Sequence, residues 1–279
     1  MPELPEVETV RRGADSHLRG RRLQGVELRR HDLRWPIPVA AVQDLCGRTC
    51  QEVARRAKYL LLAFDGPRQP VALVHLGMTG RLLVEQATAS EVAPPWRAHE
   101  HWRFDFGSRR VRFVDPRRFG ALDVCPAAQL SQHALLGKLG REPLEPGFDG
   151  SFLHALARGR KTSIKQVLMD ARLLVGVGNI YASEACFRAG VRPRRAAGSL
   201  TRAECEALVQ AVCAVLEAAI EAGGTSFRDY VGVAEDAGYF ARELQVYDRA
   251  GQPCRRCGAT VRRTVDGQRS TYWCADCQR

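Results

Sequence analysis

The chain has 279 residues, 45% of them hydrophobic and 26% charged, which excludes a disordered polypeptide and leaves room for two packed domains. No run of about 18 apolar residues occurs, and the acidic start lacks the apolar stretch of a secretory signal, so neither a helical membrane span nor export is expected and the location should be cytoplasmic. The 42 Lys and Arg against 31 Asp and Glu give a formal net charge of +11, which suits a polyanionic partner, with a basic surface kept for solubility the equal alternative on charge alone.

The first element in chain order is a helix. Pro5 suits a first turn, and Val7, Val10, Ala14 and Leu18 recur on one face. Strand-like segments follow at 24–30, 53–64 and 71–85. Trp102, Phe104 and Phe106 alternate with polar residues, Gly107-Ser108 turns the chain, and Val111 and Phe113 alternate back, the pattern of a hairpin. These elements make a mostly antiparallel β domain to about Leu130. Residues 141–150, with Pro143, Pro146, Gly147 and Gly150, read as a linker. Helices dominate after it. The clearest starts at Thr201 with Glu204 as a capping box, buries Leu208, Val209, Val212, Leu216, Ala219 and Ile220, and ends at Gly223-Gly224. A glycine-dotted loop through Tyr239 leads to a cysteine-rich tail.

The tail carries the strongest signal. Cys254-x-x-Cys257 and Cys274-x-x-Cys277 are separated by 16 residues, the spacing of a four-thiolate zinc ribbon. With all four positions supplied by protein the zinc should be structural, and Arg262, Arg263 and Arg269 between the pairs suit phosphate contacts. The other cysteines, Cys46, Cys50, Cys125, Cys186, Cys205 and Cys213, read as buried small hydrophobes. Gly176-Val177-Gly178-Asn179 opens a helix whose free N–H groups suit an anion, beside Lys161 and Lys165, although the same glycines also suit a plain helix-to-helix turn. In Asp115-Pro116-Arg117-Arg118-Phe119-Gly120 an Arg can read base edges and a Phe can wedge between bases; a buried Phe beside an Asp–Arg pair is the bland alternative. His99 and His101 lack a third ligand, which argues against a metal pair.

The opening Pro2-Glu3-Leu4-Pro5-Glu6-Val7-Glu8 resembles the formamidopyrimidine-DNA glycosylase family. So do Ala57-Lys58-Tyr59-Leu60, His75-Leu76-Gly77-Met78-Thr79-Gly80, the block 115–120, Lys161-Thr162-Ser163-Ile164-Lys165, the block 176–184, Gly238-Tyr239-Phe240 and the zinc ribbon. The resemblance spans essentially the whole chain. It implies an α+β fold: an N-terminal antiparallel β-sandwich domain flanked by helices (1–134) and a linker (135–150). A helix–two-turn–helix region with a lesion-capping loop (151–244) and a four-cysteine zinc finger (245–279) complete it.

By the same resemblance the partner is double-stranded DNA with an oxidised base or abasic site, bound by a monomer. Pro2, freed of Met1, would be the nucleophile, Glu3 the general acid/base, and Lys58 a phosphate contact that assists catalysis. Met78, Arg117 and Phe119 would fill the void left by an extruded nucleotide. His99, Lys161, Asn179 and Arg269 would contact DNA, Glu6, Thr225 and Tyr239 would line the lesion pocket, and Cys254, Cys257, Cys274 and Cys277 would hold one structural Zn2+. Oxidised purines are the expected substrates, with oxidised pyrimidines, as in endonuclease VIII, the alternative. A non-catalytic DNA-binding scaffold is disfavoured because Pro2 and Glu3 are both present.

Overall fold

The computed structural model describes residues 2–87, 94–224 and 243–279. The chain divides into two compact units that separate at Gly137/Lys138.

In the first unit, α1 (Leu4–Leu18) is followed by β1 (Gly25–Leu28), α2 (Val39–Gln43), β2 (Cys50–Arg56), β3 (Tyr59–Phe64), β4 (Pro70–His75), β5 (Arg81–Gln86), β6 (Glu100–Asp105), β7 (Arg109–Val114) and β8 (Ala121–Pro126). The strands form two four-stranded antiparallel sheets, β1-β6-β7-β5 and β2-β3-β4-β8. Alternating side chains from both sheets (Leu60, Leu62, Val74, Val84, Trp102, Phe104, Val111, Phe113) join Val7, Val10, Ala14 and Leu18 of α1 in one core. The expected first helix and the β6–β7 hairpin are both present. The stretch 53–64 is split by a two-residue turn in which Ala57 takes a left-handed φ of 54°. The stretch 71–85 supplies strands to both sheets, with the turn 77–80 between them.

In the second unit, α3 (Gly150–Ala157), α4 (Ile164–Met169), α5 (Asn179–Arg188) and α6 (Arg202–Glu221) precede the hairpin β9 (Val261–Asp266) and β10 (Arg269–Cys274). The Thr201/Glu204 capping box of α6 is formed, with Arg195 paired to Glu204. The segment 141–150 packs within this unit. Arg141 N–H donates to the Leu173 carbonyl, Phe148 is buried, and Gly150 N–H donates to Glu206. Among the described residues no helix is long and apolar enough to cross a membrane.

Of the scattered cysteines, Cys50, Cys125, Cys186 and Cys205 are buried, and burial pushes the Cys50 and Cys186 thiols up to about 12. Cys213 is half-buried. Cys46 is exposed, with its thiol on the Gln24 carbonyl at 3.1 Å, so it is no core residue. A cysteine's hydrophobicity does not say which way a turn presents it.

Candidate active site

Glu3 is the N-cap of α1 and only 2% exposed. The Glu6 carboxylate returns to the Glu3 N–H at 2.8 Å, closing a capping box that satisfies two donors the helix start would leave free. Pro2 is half-buried immediately before it. About one turn along α1, Glu8 accepts from Arg55 Nε at 3.1 Å, and Arg55 donates onward to the Ala57 carbonyl at 2.9 Å. This ion pair lays the first turns of α1 beside the β2–β3 hairpin whose tip carries Lys58. Burial opposes ionisation of Glu8, but hydrogen bonds from Arg11, Arg12 and Arg55 outweigh it and hold its carboxyl below the usual range. Across the β3–β4 ladder Tyr59 pairs with His75, their rings 4.8 Å apart. Burial, then the Lys58 and Arg34 charges, drive the His75 imidazole down to about 4. It is therefore neutral and accepts the Gly77 N–H at Nδ1, 3.0 Å away.

Met78 and the pair Arg117/Phe119 come from distant loops that meet at one buried carboxylate. Asp115 accepts from the Thr79 hydroxyl, from Arg117 N–H at 3.3 Å and from Gly120 N–H at 2.8 Å. Gly77 has a φ of 65°, and a Cβ there would lie 2.4 Å from the Phe119 carbonyl carbon, so the two backbones touch. Phe119 remains 41% exposed with the Arg117 guanidinium 4.6 Å over its ring. His99 and Arg118, both non-glycine residues at positive φ, line a cavity of about 350 Å³ with Arg29 and Arg30. His101 is buried, its Nε2 2.8 Å from the Asp115 carbonyl. Glu8, Arg55, His75 and Asp115 were not singled out as site residues from the sequence. A polar residue close to a turn was the available signal for Arg55, His75 and Asp115, whereas Glu8, inside α1, carried none.

In the second unit Asn179 is the first residue of α5, after Gly178 at its N-cap and Gly176 at a φ of 79°. Its side chain accepts from Lys165 Nζ at 2.6 Å and donates to the Ser270 carbonyl at 3.0 Å, next to Arg269. Lys165, expected beside an anion, is instead 1% exposed and also donates to Thr271, fastening α4 to β10. Lys161 and Arg269 are exposed. The base of the hairpin is held by Glu184, whose carboxylate accepts the N–H groups of Gln245, Val246 and Tyr247 at 2.9, 3.0 and 2.8 Å. Thr225 and Tyr239 lie outside the described residues.

The four cysteine sulfurs lie within 4.8 Å of one another, with Cys254–Cys277 at 3.9 Å and Cys257–Cys274 at 3.5 Å. Four thiolates at about 2.3 Å around a tetrahedral ion stand about 3.8 Å apart, so the residues fit zinc. Burial opposes ionisation of Cys254, yet the N–H groups of Arg256, at 3.4 Å, and of Cys257 hold its thiol down at about 7. Among the described residues this is the one cluster of His, Cys, Asp or Glu able to hold a metal, and it seats one structural zinc ion.

Three domain families match in succession. They are the formamidopyrimidine-DNA glycosylase N-terminal domain over residues 1–122, the H2TH domain of the same enzymes over 139–231, and the zinc finger found in FPG and IleRS over 251–279. The chain belongs to the formamidopyrimidine-DNA glycosylase family. A formamidopyrimidine-DNA glycosylase of Bordetella parapertussis is 50% identical over 282 residues, and one of Burkholderia cenocepacia is 50% identical over 281, each match covering 100% of both chains. Among solved structures, a Lactococcus lactis FPG mutant bound to Fapy-dG DNA superposes with a TM-score of 0.89 at 29% identity over 100% of both chains. The Lactococcus lactis protein bound to abasic-site DNA gives 0.88 at 30% over 99% of both. The β-sandwich, helix–two-turn–helix and zinc-finger architecture of this glycosylase family is thus present in full.

Proposed function

We propose that the chain excises oxidised purines, 8-oxoguanine and formamidopyrimidines, from duplex DNA and then cleaves the strand at the resulting abasic site. Pro2 is the nucleophile. The family membership supports the reaction class, and one observation carries the residue assignment: Pro2 and the buried Glu3 open a capped helix that the Glu8–Arg55 pair lays beside the Lys58 hairpin.

An α-amino group titrates near pH 8, so with Met1 removed an appreciable share of Pro2 is unprotonated at neutral pH. Its nitrogen attacks the sugar C1′, the base departs with its bonding pair and takes up the proton the amine loses, and the C1′–O4′ bond then opens as Glu3 protonates O4′. The product is an iminium. A secondary amine cannot shed that charge by losing an N–H proton, so the iminium draws electrons from C2′ once its proton is removed. The 3′ phosphate leaves by β-elimination and the 5′ phosphate by δ-elimination. Lys58 holds a phosphate beside the lesion, and Met78, Arg117 and Phe119 occupy the vacated stack. His99 contacts DNA, Lys161, Asn179 and Arg269 take backbone phosphates, and Glu6, through the Glu3 N–H, sets the geometry at the pocket floor. Thr225 and Tyr239 cap the lesion. The enzyme works in the bacterial cytoplasm, at the nucleoid, as a monomer.

Borohydride trapping on oxidised and abasic duplexes tests this directly. Mature protein should form a covalent adduct. Pro2→Gly, which leaves a primary amine in place of the secondary one, should keep part of it, and a chain extended before Pro2 should form none. Equal trapping by the extended chain would remove Pro2 from the mechanism.

A further inference from the structure

The second unit contains a cavity of about 420 Å³ that the contacts assigned above do not use, lined by Arg192, Arg194, Arg195, Thr264, Trp273 and Arg279. One wall is the segment 192–196, which runs beside the start of α4: Ile164 N–H donates to the Arg195 carbonyl at 2.9 Å and Lys165 N–H to the Pro193 carbonyl at 3.2 Å. The other wall is one face of the zinc hairpin. Trp273 stands opposite Arg262 and Thr271 opposite Thr264, so Arg262, Thr264, Thr271 and Trp273 share that face.

Towards the hairpin tip the polar groups of this face are matched. Ser163 and Gln166 bind Asp266, and Lys165 binds Thr271. At the cavity they are not: Trp273 Nε1 and Thr264 Oγ1 are buried with no hydrogen-bond partner among the described residues. A buried, unmatched donor costs about 1–3 kcal/mol. The charged side chains of the lining are all arginines, and the Arg279 main-chain oxygen, which accepts from Arg192 N–H at 2.8 Å, stands among them. Arg195 is committed to Glu204, while Arg192 and Arg194 are exposed and have no acidic partner among the described residues. The Arg192 and Arg262 guanidinium groups lie 4.8 and 5.6 Å over the Trp273 ring. They occupy the position a stacked base would take. What the cavity offers is therefore guanidinium forks, an indole N–H and a hydroxyl, a set rich in donors that calls for an oxyanion.

We propose that this cavity binds a backbone phosphate of duplex DNA, in addition to those taken by Lys161, Asn179 and Arg269. The inference rests on the DNA-repair reading. A phosphate is favoured over a carboxylate peptide because the DNA-repair reading already brings duplex DNA to the exposed Arg269 at the tip of the same hairpin. The phosphate can belong to the flank of the bound duplex or to a second duplex.

The test uses the full-length zinc-loaded protein, its Arg192→Ala/Arg194→Ala variant and the corresponding double Lys variant, with abasic-analogue duplexes of one and three helical turns. Each lost phosphate contact lowers the slope of log K against log salt by about 0.9, so the affinity lost between about 50 and 200 mM salt should shrink roughly 3.5-fold in the Ala variant and stay near wild type in the Lys variant. The Trp273 indole N–H resonance, assigned by its loss in Trp273→Phe, should shift on adding DNA. A one-to-one complex showing the effect only on the longer duplex places the phosphate on the flank, and a second binding event places it on another duplex. An unchanged slope with an unmoved indole signal overturns the proposal, as does a signal moved by a poly-glutamate peptide and not by DNA. Borohydride trapping on a one-turn duplex carrying 8-oxoguanine or a true abasic site, run alongside, shows separately whether the glycosylase reading holds.

Discussion

At Asp115 a single buried carboxylate gathers donors from two loops, the Thr79 hydroxyl on one side and the Arg117 and Gly120 N–H groups on the other. It fixes the backbone from which Arg117 projects while leaving the Arg117 side chain exposed, over Phe119. A guanidinium in that place can donate two hydrogen bonds to O2 and N3 of an unpaired cytosine, whereas adenine presents a donor amine on its Watson–Crick edge. Such pairing discriminates by about 1–3 kcal/mol, roughly ten- to a hundredfold. Excision of 8-oxoguanine should therefore be faster opposite cytosine than opposite adenine, and Arg117→Ala should narrow the ratio. Single-turnover rates for both proteins on both duplexes decide this, and a full ratio in the Ala variant would place discrimination elsewhere. Asp115 itself was visible in the sequence only as half of an Asp–Arg pair and as part of a matched block. Its partners lie 36 residues away at Thr79 and a few residues on within its own turn, and no local pattern announces that meeting.

Elements with strong periodicity were legible. The α1 stripe, the β6–β7 hairpin and the Thr201 capping box follow from spacing alone. The segments 53–64 and 71–85 were legible as β but not as pairs of strands, because the Ala57-Lys58 turn has no Gly, Pro, Asn or Asp to mark it and the turn 77–80 interrupts a nearly continuous apolar run. Glu100, Arg103 and Arg112 escaped notice for another reason. Charges on a strand read as solvent-facing, yet here all three are buried and paired across β6 and β7, Glu100 with both guanidiniums. Removing one member leaves uncompensated buried charge, so Glu100→Ala should cost about 3–5 kcal/mol in chemical denaturation, far more than an exposed Glu. The zinc hairpin makes the opposite case. Four cysteines announced it, but its anchors (Lys165, Glu184 and Gln278) did not stand out as such. Because those anchors tie it to α4, α5 and the segment after α5, Cys274→Ala should lose metal and duplex affinity together, measured by metal analysis and a binding titration. Undiminished binding by demonstrably zinc-free protein would contradict that.

Across the whole molecule the titratable groups set an acid limit with two stages. His75 is held neutral, its pKa depressed to about 4 from an ordinary 6.5, so the stability it lends is present above pH 6.5 and fades as pH falls towards 4. Glu8, Asp15 and Glu100 are held below the usual carboxylate range, and Glu204 at about 2 by Arg195, so their stabilisation is present above about pH 4.5 and is lost further down. Thermal midpoints should thus decline gently from pH 6.5 and steeply below 4.5, and His75→Gln should flatten the first stage only. A single steep transition in the wild type, unchanged in the variant, would count against it. The junction at Gly77 bears on speed instead of stability. With its backbone against Phe119 and both loops fastened to Asp115, Met78, Arg117 and Phe119 form one tooth instead of three independent probes. On the role proposed for these residues, such a tooth would enter a base stack as a unit or not at all, so the time spent at each undamaged pair would be governed by one barrier and the search would run as a series of yes-or-no trials.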